Sequence, residues 1–160
     1  MSSERGRRRG GRGRGRPRAS EDGESLRELS YGGVVVRGDD VIVIVPRGRS
    51  RVLGLPKGGA DAGESPQQTT AREVREETGI TVRVRDRLGQ VDYSYRRGGR
   101  RIAKTVHFYL CEFQAGDTAD HDHEVDDARW MPLREARRRL SYPGERAMID
   151  RALSILAANG

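Results

Sequence analysis

Short β-branched runs and three helical stretches divide the chain. Residues 31–36, Tyr-Gly-Gly-Val-Val-Val, and residues 41–45 are β-branched runs separated by Arg37-Gly38-Asp39-Asp40. That pattern predicts a hairpin with a tight polar turn. Residues 41–45, Val-Ile-Val-Ile-Val, are apolar on both faces and predict a central, buried strand. Residues 81–87 alternate and predict a half-buried strand. Residues 90–95 and 101–113 flank Arg96-Arg97-Gly98-Gly99-Arg100, which predicts a second hairpin with a basic tip. In its returning strand Lys104, Val106, Phe108 and Leu110 point one way, and Thr105, His107, Tyr109 and Cys111 the other. Residues 114–123 are polar and predict a mobile loop. A strand follows from Glu124 to Trp130-Met131-Pro132, and residues 133–140 and 144–156 predict closing helices. Trp130, Leu140, Met148 and Cys111 are expected in the core. Strands, a helix, strands and closing helices together predict an α/β fold, an α/β/α sandwich with a mixed β-sheet.

Residues 58–80 have a different character, a glycine-rich loop followed by a short helix with acids on one face. Ser65 is placed to cap the helix and Pro66 to occupy its first position, where a missing N–H costs nothing. Gly79 can take the left-handed conformation that ends a helix. Ala71 and Val74 turn one stripe toward a core, and Glu73, Glu76 and Glu77 share a neighbouring face. Arg72 can pair with Glu76, but Glu73 repels both Glu76 and Glu77, at about 0.2–0.5 kcal/mol per pair. A helix shaped only for stability would mix the signs. Clustered carboxylates suit a hard divalent cation, which takes oxygen ligands, and Glu64 can bring a further acid from the loop.

The same residues carry a resemblance. Gly58, Glu64, Arg72-Glu73, the aliphatic Val74, Glu76-Glu77, Gly79 and the aliphatic Ile80 resemble a complete Nudix box, with every defined position filled across 23 consecutive residues. The likeness extends over about residues 31–156. It implies a Nudix hydrolase domain over 26–160 that opens a phosphoanhydride bond in a nucleoside diphosphate linked to another group. The cofactor it implies is Mg2+ or Mn2+, which neutralises phosphate oxygens and makes water a better nucleophile. It places Arg72, Glu73 and Glu76 in the catalytic set, with Arg72 orienting the acids and the identity of the general base left open. As metal ligands it implies Glu73, Glu76 and Glu77, with Glu64 an outer contributor. Glu124, six residues before Trp130, joins as a further carboxylate, and the carbonyl of Lys57 as a ligand from the backbone. Lys57, Lys104 and Tyr109 are candidates for contact with phosphate or base. Leu55-Pro56-Lys57-Gly58, residues 104–109 and residues 124–132 look most like diadenosine polyphosphate hydrolases and MutT-type mycobacterial enzymes acting on oxidised guanine triphosphates. A dinucleoside polyphosphate is therefore the expected substrate. Sanitation of oxidised nucleoside triphosphates, removal of pyrophosphate from RNA 5′ ends, and a nucleic-acid-binding or regulatory role on a Nudix scaffold are the alternatives.

Charge changes this picture at one end only. The net charge of +7 arises from residues 1–19, which hold eight arginines and one glutamate, while the remainder carries 23 basic and 23 acidic residues. Residues 1–25 alternate glycine and arginine with no aromatic or β-branched residue and are expected to be disordered. Such a tail is either an electrostatic arm for nucleic acid, with Arg14-Gly15-Arg16-Pro17 resembling an AT-hook core, or a low-complexity extension without a fixed partner. Basic positions 47, 49, 51, 96, 97 and 100 would suit a long polyphosphate. His121 and His123, without a third spaced ligand, are expected to be solvated. One cysteine permits no internal disulfide, no stretch is long and apolar enough to span a membrane, and no secretory signal is evident. The expected location is the cytoplasm.

Overall fold

The computed structural model describes residues 26–159, so the expected tail lies outside the described residues. In chain order the elements are β1 (Leu26–Arg37), β2 (Asp40–Pro46), β3 (Lys57–Gly59), α1 (Pro66–Thr78), β4 (Ile80–Arg97), β5 (Arg100–Gly116), β6 (Val125–Pro132), α2 (Leu133–Arg139) and α3 (Pro143–Ala158). The sheet runs β4-β5-β1-β2-β6, with β3 paired to β1 off that path. β1 and β5 are parallel and the other pairs antiparallel, which makes the sheet mixed as expected.

Alternation along the strands sorts the core into two layers. Val34 and Val36 of β1, Val41 and Val43 of β2, and Val106, Phe108 and Leu110 of β5 face α2 and α3, where Leu133, Ala136, Leu140, Met148, Ile149 and Ala152 meet them. Val35, Ile42, Val82, Tyr109 and Cys111 face the other way, onto Val74 of α1 and Ile80. That is the α/β/α sandwich.

The ends of α1 follow from its sequence. Ser65 Oγ accepts the Gln68 N–H at 3.1 Å and Gln68 Oε1 accepts the Ser65 N–H at 2.9 Å, a reciprocal capping box. Gly79 closes the helix at φ 76°, and a side chain there would run into the Asp117 carbonyl and Asp120.

Three expectations are corrected. The strand predicted at 81–87 and the one at 90–95 are a single strand, β4, interrupted by irregular register between Val84 and Gly89. The polar stretch 114–123 is not one loop. β5 continues to Gly116, a 3-10 turn covers Thr118–Asp120, and the Asp122 N–H donates to the Glu76 carbonyl at 2.8 Å, which ties the segment to α1. Trp130 is only partly buried. The Arg37 guanidinium lies 4.2 Å from its ring centroid and Phe113 meets it edge-on, so a cation covers what core would otherwise cover. No helix among the described residues is long and apolar enough to cross a membrane.

Candidate active site

The hairpin of β1 and β2 pairs only through Val36–Val41 and Arg37–Asp40. Below that point the two strands part, and β3 takes the place beside Ser30–Gly32 of β1. β3 was not foreseen, because three residues with two glycines carry no strand signal of their own. It sets the backbone of Lys57 and Gly58 against the acids of α1. The Lys57 N–H donates to Glu77 Oε2 at 3.0 Å. Gly58 lies so close to Glu73 that a Cβ added there would overlap the carboxyl group. Glycine at 58 is thus needed for close approach and not for a special φ. Gly58→Ala is expected to displace the flexible end of Glu73 and leave the fold alone. Turnover would fall about 10- to 100-fold with little change in melting temperature, read by kinetics and a thermal melt on the same sample.

Arg72 is the hub of the loop-helix unit. Its Nε and Nη2 grip Glu64 at 2.8 and 3.0 Å, Nη1 reaches Glu73 at 3.0 Å and Glu76 at 3.2 Å, and Nη2 also donates to the Gly59 carbonyl at 2.8 Å. Glu64 Oε1 in turn accepts the Asp61 N–H and the Thr69 hydroxyl. The Arg72 fork, with these bonds, holds the Glu64 carboxyl at about 2, far below the ordinary range. Glu64 therefore serves the loop and the arginine.

Glu73 and Glu77 are 8% and 9% exposed. Burial pushes both carboxyls up, Glu77 to about 8, with Glu73 and Asp122 adding repulsion there. The neighbouring Glu76 and Glu124 raise Glu73 further. Carboxylates gathered and desolvated without an equal number of cations are a donor set suited to a hard divalent ion, which would reverse the repulsion. As placed, no three of the described acidic or histidine side chains form a finished cage. Glu73 and Glu76 lean on Arg72, and Glu77 on the Lys57 amide.

The raised Glu77 gives a signed prediction. The folded chain keeps a proton on Glu77 that the unfolded chain releases near pH 4.5, so this group's contribution to stability falls as pH rises from about 4.5 to 8. A divalent ion binding the ionised carboxylates opposes that loss. The melting-temperature gain from Mg2+ over EDTA is expected to grow from about pH 5 to 8.5. A gain independent of pH would contradict it.

Beside the acids lies a cleft of about 700 Å3, on the α3 side of the sheet. Glu77 and Glu124 are among its lining residues. Lys57, Lys104, Arg49, Tyr93, Tyr95, Tyr142 and Glu145 line it, and Leu55, Val106 and Phe108 add apolar surface. The structure thus brings Lys57, Lys104 and Glu124 together with Glu77. Tyr109 is not among them. It points to the α1 side, 7% exposed, and packs in the layer with Cys111 and Val74. A contact with phosphate or base is therefore corrected to a packing role. His121 and His123 line no part of the cleft.

Glu145 was missed. It is 3% exposed, with Oε1 accepting the Leu55 N–H at 2.9 Å and Oε2 at 3.4 Å from Lys57 Nζ. A signal was available. Glu145 falls on the stripe of Met148, Ile149 and Ala152, at i+3, i+4 and i+7, where an acid is out of place unless it has partners.

Comparisons with known proteins agree with this architecture. A NUDIX domain model matches residues 26–152. The putative mutator protein MutT4 of Mycobacterium tuberculosis is 42% identical over 142 residues, covering 83% of this chain and 57% of that protein. An 8-oxo-(d)GTP phosphatase of Mycolicibacterium smegmatis is 36% identical over 110 residues, covering 69% of this chain and 33% of that protein. The chain thus spans about half and a third of the length of these two relatives. Among solved structures, a C. elegans Ap4A hydrolase binary complex superposes with a TM-score of 0.66 at 22% identity, covering 82% of this chain and 98% of that one, a likeness of fold. With the box of residues 58–80 folded as a loop and helix beside the cleft, and a domain match over nearly all the described residues, this chain belongs to the Nudix family.

Proposed function

We propose that the chain hydrolyses a phosphoanhydride bond in a nucleoside diphosphate linked to another group. The observation that carries this reading is the buried acid Glu77, which with Glu124 lines a cleft that also holds Lys57 and Lys104, while the equally buried Glu73 neighbours Glu77 on α1. Glu73, Glu76 and Glu77 would hold the divalent cation, Mg2+ or Mn2+, with Glu124 and the Lys57 carbonyl as further donors. When bound, such an ion neutralises phosphate charge and lowers the pKa of water. The chain's own residues do the rest. Arg72 keeps Glu73 and Glu76 in place through charge-assisted hydrogen bonds. Lys57 and Lys104 offset the charge of the phosphate chain, and the apolar surface with Tyr93 and Tyr142 supports a nucleoside. One of the carboxylates takes the proton of the attacking water.

For the substrate, a dinucleoside polyphosphate is the first reading, since Arg49 lines the cleft together with Lys57 and Lys104, and Arg47 and Arg51 flank it in the sequence. Oxidised guanine triphosphates are the second, favoured by the names of the mycobacterial relatives. Product analysis with Mg2+ on diadenosine polyphosphates, 8-oxo-dGTP and 5′-triphosphate RNA separates them. The first reading expects the diadenosine compound to give the highest kcat/KM, and a higher value for 8-oxo-dGTP selects the second. Cleavage of none would overturn both.

A further inference from the structure

Glu145 has no part in the chemistry described so far, yet both its oxygens are engaged. Oε1 accepts the Leu55 N–H at 2.9 Å and Oε2 lies 3.4 Å from Lys57 Nζ. The next atoms along the strap repeat the arrangement from the other side of the sheet, where the Lys57 N–H donates to Glu77 Oε2 at 3.0 Å. Residues 55–57 are therefore pinned by two carboxylates from opposite helical layers, one on α3 and one on α1. Between these pins the Lys57 side chain enters the cleft, 23% exposed, with its ammonium 5.7 Å from the Tyr142 ring centroid. A free lysine gives up rotamer freedom when it meets a phosphate. One already held gives up less, and that difference favours binding.

We infer that Glu145 is a positioning residue for the substrate's phosphate chain, acting through Lys57. It holds the ammonium at a fixed point of the cleft, across from the acids of α1, and touches no substrate itself. This rests on reading the cleft as a nucleotide site. The alternative is that Glu145 only secures the Leu55 backbone. Glutamine separates the two, because its carbonyl can still accept the Leu55 N–H while the charge that holds the ammonium is gone.

The sequence offers a direct readout, since Lys57 and Lys104 are the only lysines. An amine-reactive label followed by peptide mass spectrometry reports on Lys57, with Lys104 as internal control. In Glu145→Gln, labelling of Lys57 is expected to rise several-fold against Lys104. KM for the nucleotide that the wild type cleaves best is expected to rise about tenfold, with the smaller part of the loss in kcat. Lys57→Met should show the same KM defect, the double variant no more than Lys57→Met alone, and Glu145→Asp a partial recovery. Unchanged Lys57 labelling in Glu145→Gln would overturn the inference, and so would a defect that adds to that of Lys57→Met. A wild type that cleaves no nucleotide would sink the proposed function instead, and the labelling would still decide whether Glu145 holds Lys57.

Discussion

Glu77→Gln is expected to lower turnover by about three orders of magnitude while leaving the fold intact. The side chain keeps its size, and the amide oxygen can still accept the Lys57 N–H that Glu77 Oε2 accepts at 3.0 Å. What is lost is a charge. In the metal-free protein burial has pushed the carboxyl to about 8, so folding near neutral pH must put a proton on it, a cost that an amide does not carry. The metal-free variant should therefore melt at or slightly above the wild type near neutral pH, and gain less from Mg2+. This opposition of effects, lower activity with undiminished stability, separates a functional carboxylate from a structural one. Steady-state kinetics with Mg2+ and paired thermal melts check it. Turnover within tenfold of wild type would remove Glu77 from the reaction.

Arg72→Ala should damage both activity and stability. The guanidinium joins Glu64, Glu73, Glu76 and the Gly59 carbonyl, and its side chain is 25% exposed. Removing it leaves Glu73 with its like-charged neighbours and no counter-charge. A fully buried pair broken in this way costs about 3–5 kcal/mol. With partial exposure the expected loss is about 2 kcal/mol, or about 4–8 °C in melting temperature for a domain of this size. Turnover should fall about 100-fold or more, because Glu64 and Glu73 are no longer held in one geometry. Arg72→Lys tests the cause. An ammonium restores the charge but not the planar fork, so it should recover more stability than activity. A lysine variant with full activity would show that charge alone matters.

Much of this was legible in the sequence because it is local. The start of α1 is marked by Ser65 and Pro66, and its end by Gly79, and neither depends on distant partners. The spacing of Glu73, Glu76 and Glu77 likewise places them on adjacent faces of any helix. What was hidden depends on which layer covers which face. Alternation along β5 separated Tyr109 from Lys104 correctly, but only the packing of α1 on one side and α3 on the other decides that Lys104 enters the cleft and Tyr109 the core. β3 has no hydrophobic pattern at all. It exists because β1 and β2 part and leave an edge for Lys57–Gly59 to pair with. Glu145 stood in plain view on an apolar stripe, but its meaning required Leu55 and Lys57, 90 and 88 residues away in the chain.

Binding of a divalent cation by the acids of α1 is checked by titrating Mn2+ into the wild-type protein and into a Glu73→Gln, Glu77→Gln double variant, reading free ion by electron paramagnetic resonance. The wild type is expected to quench the free-ion signal saturably, with Mg2+ competing, and the double variant to leave the signal close to that of buffer. A wild-type titration indistinguishable from the double variant would contradict it.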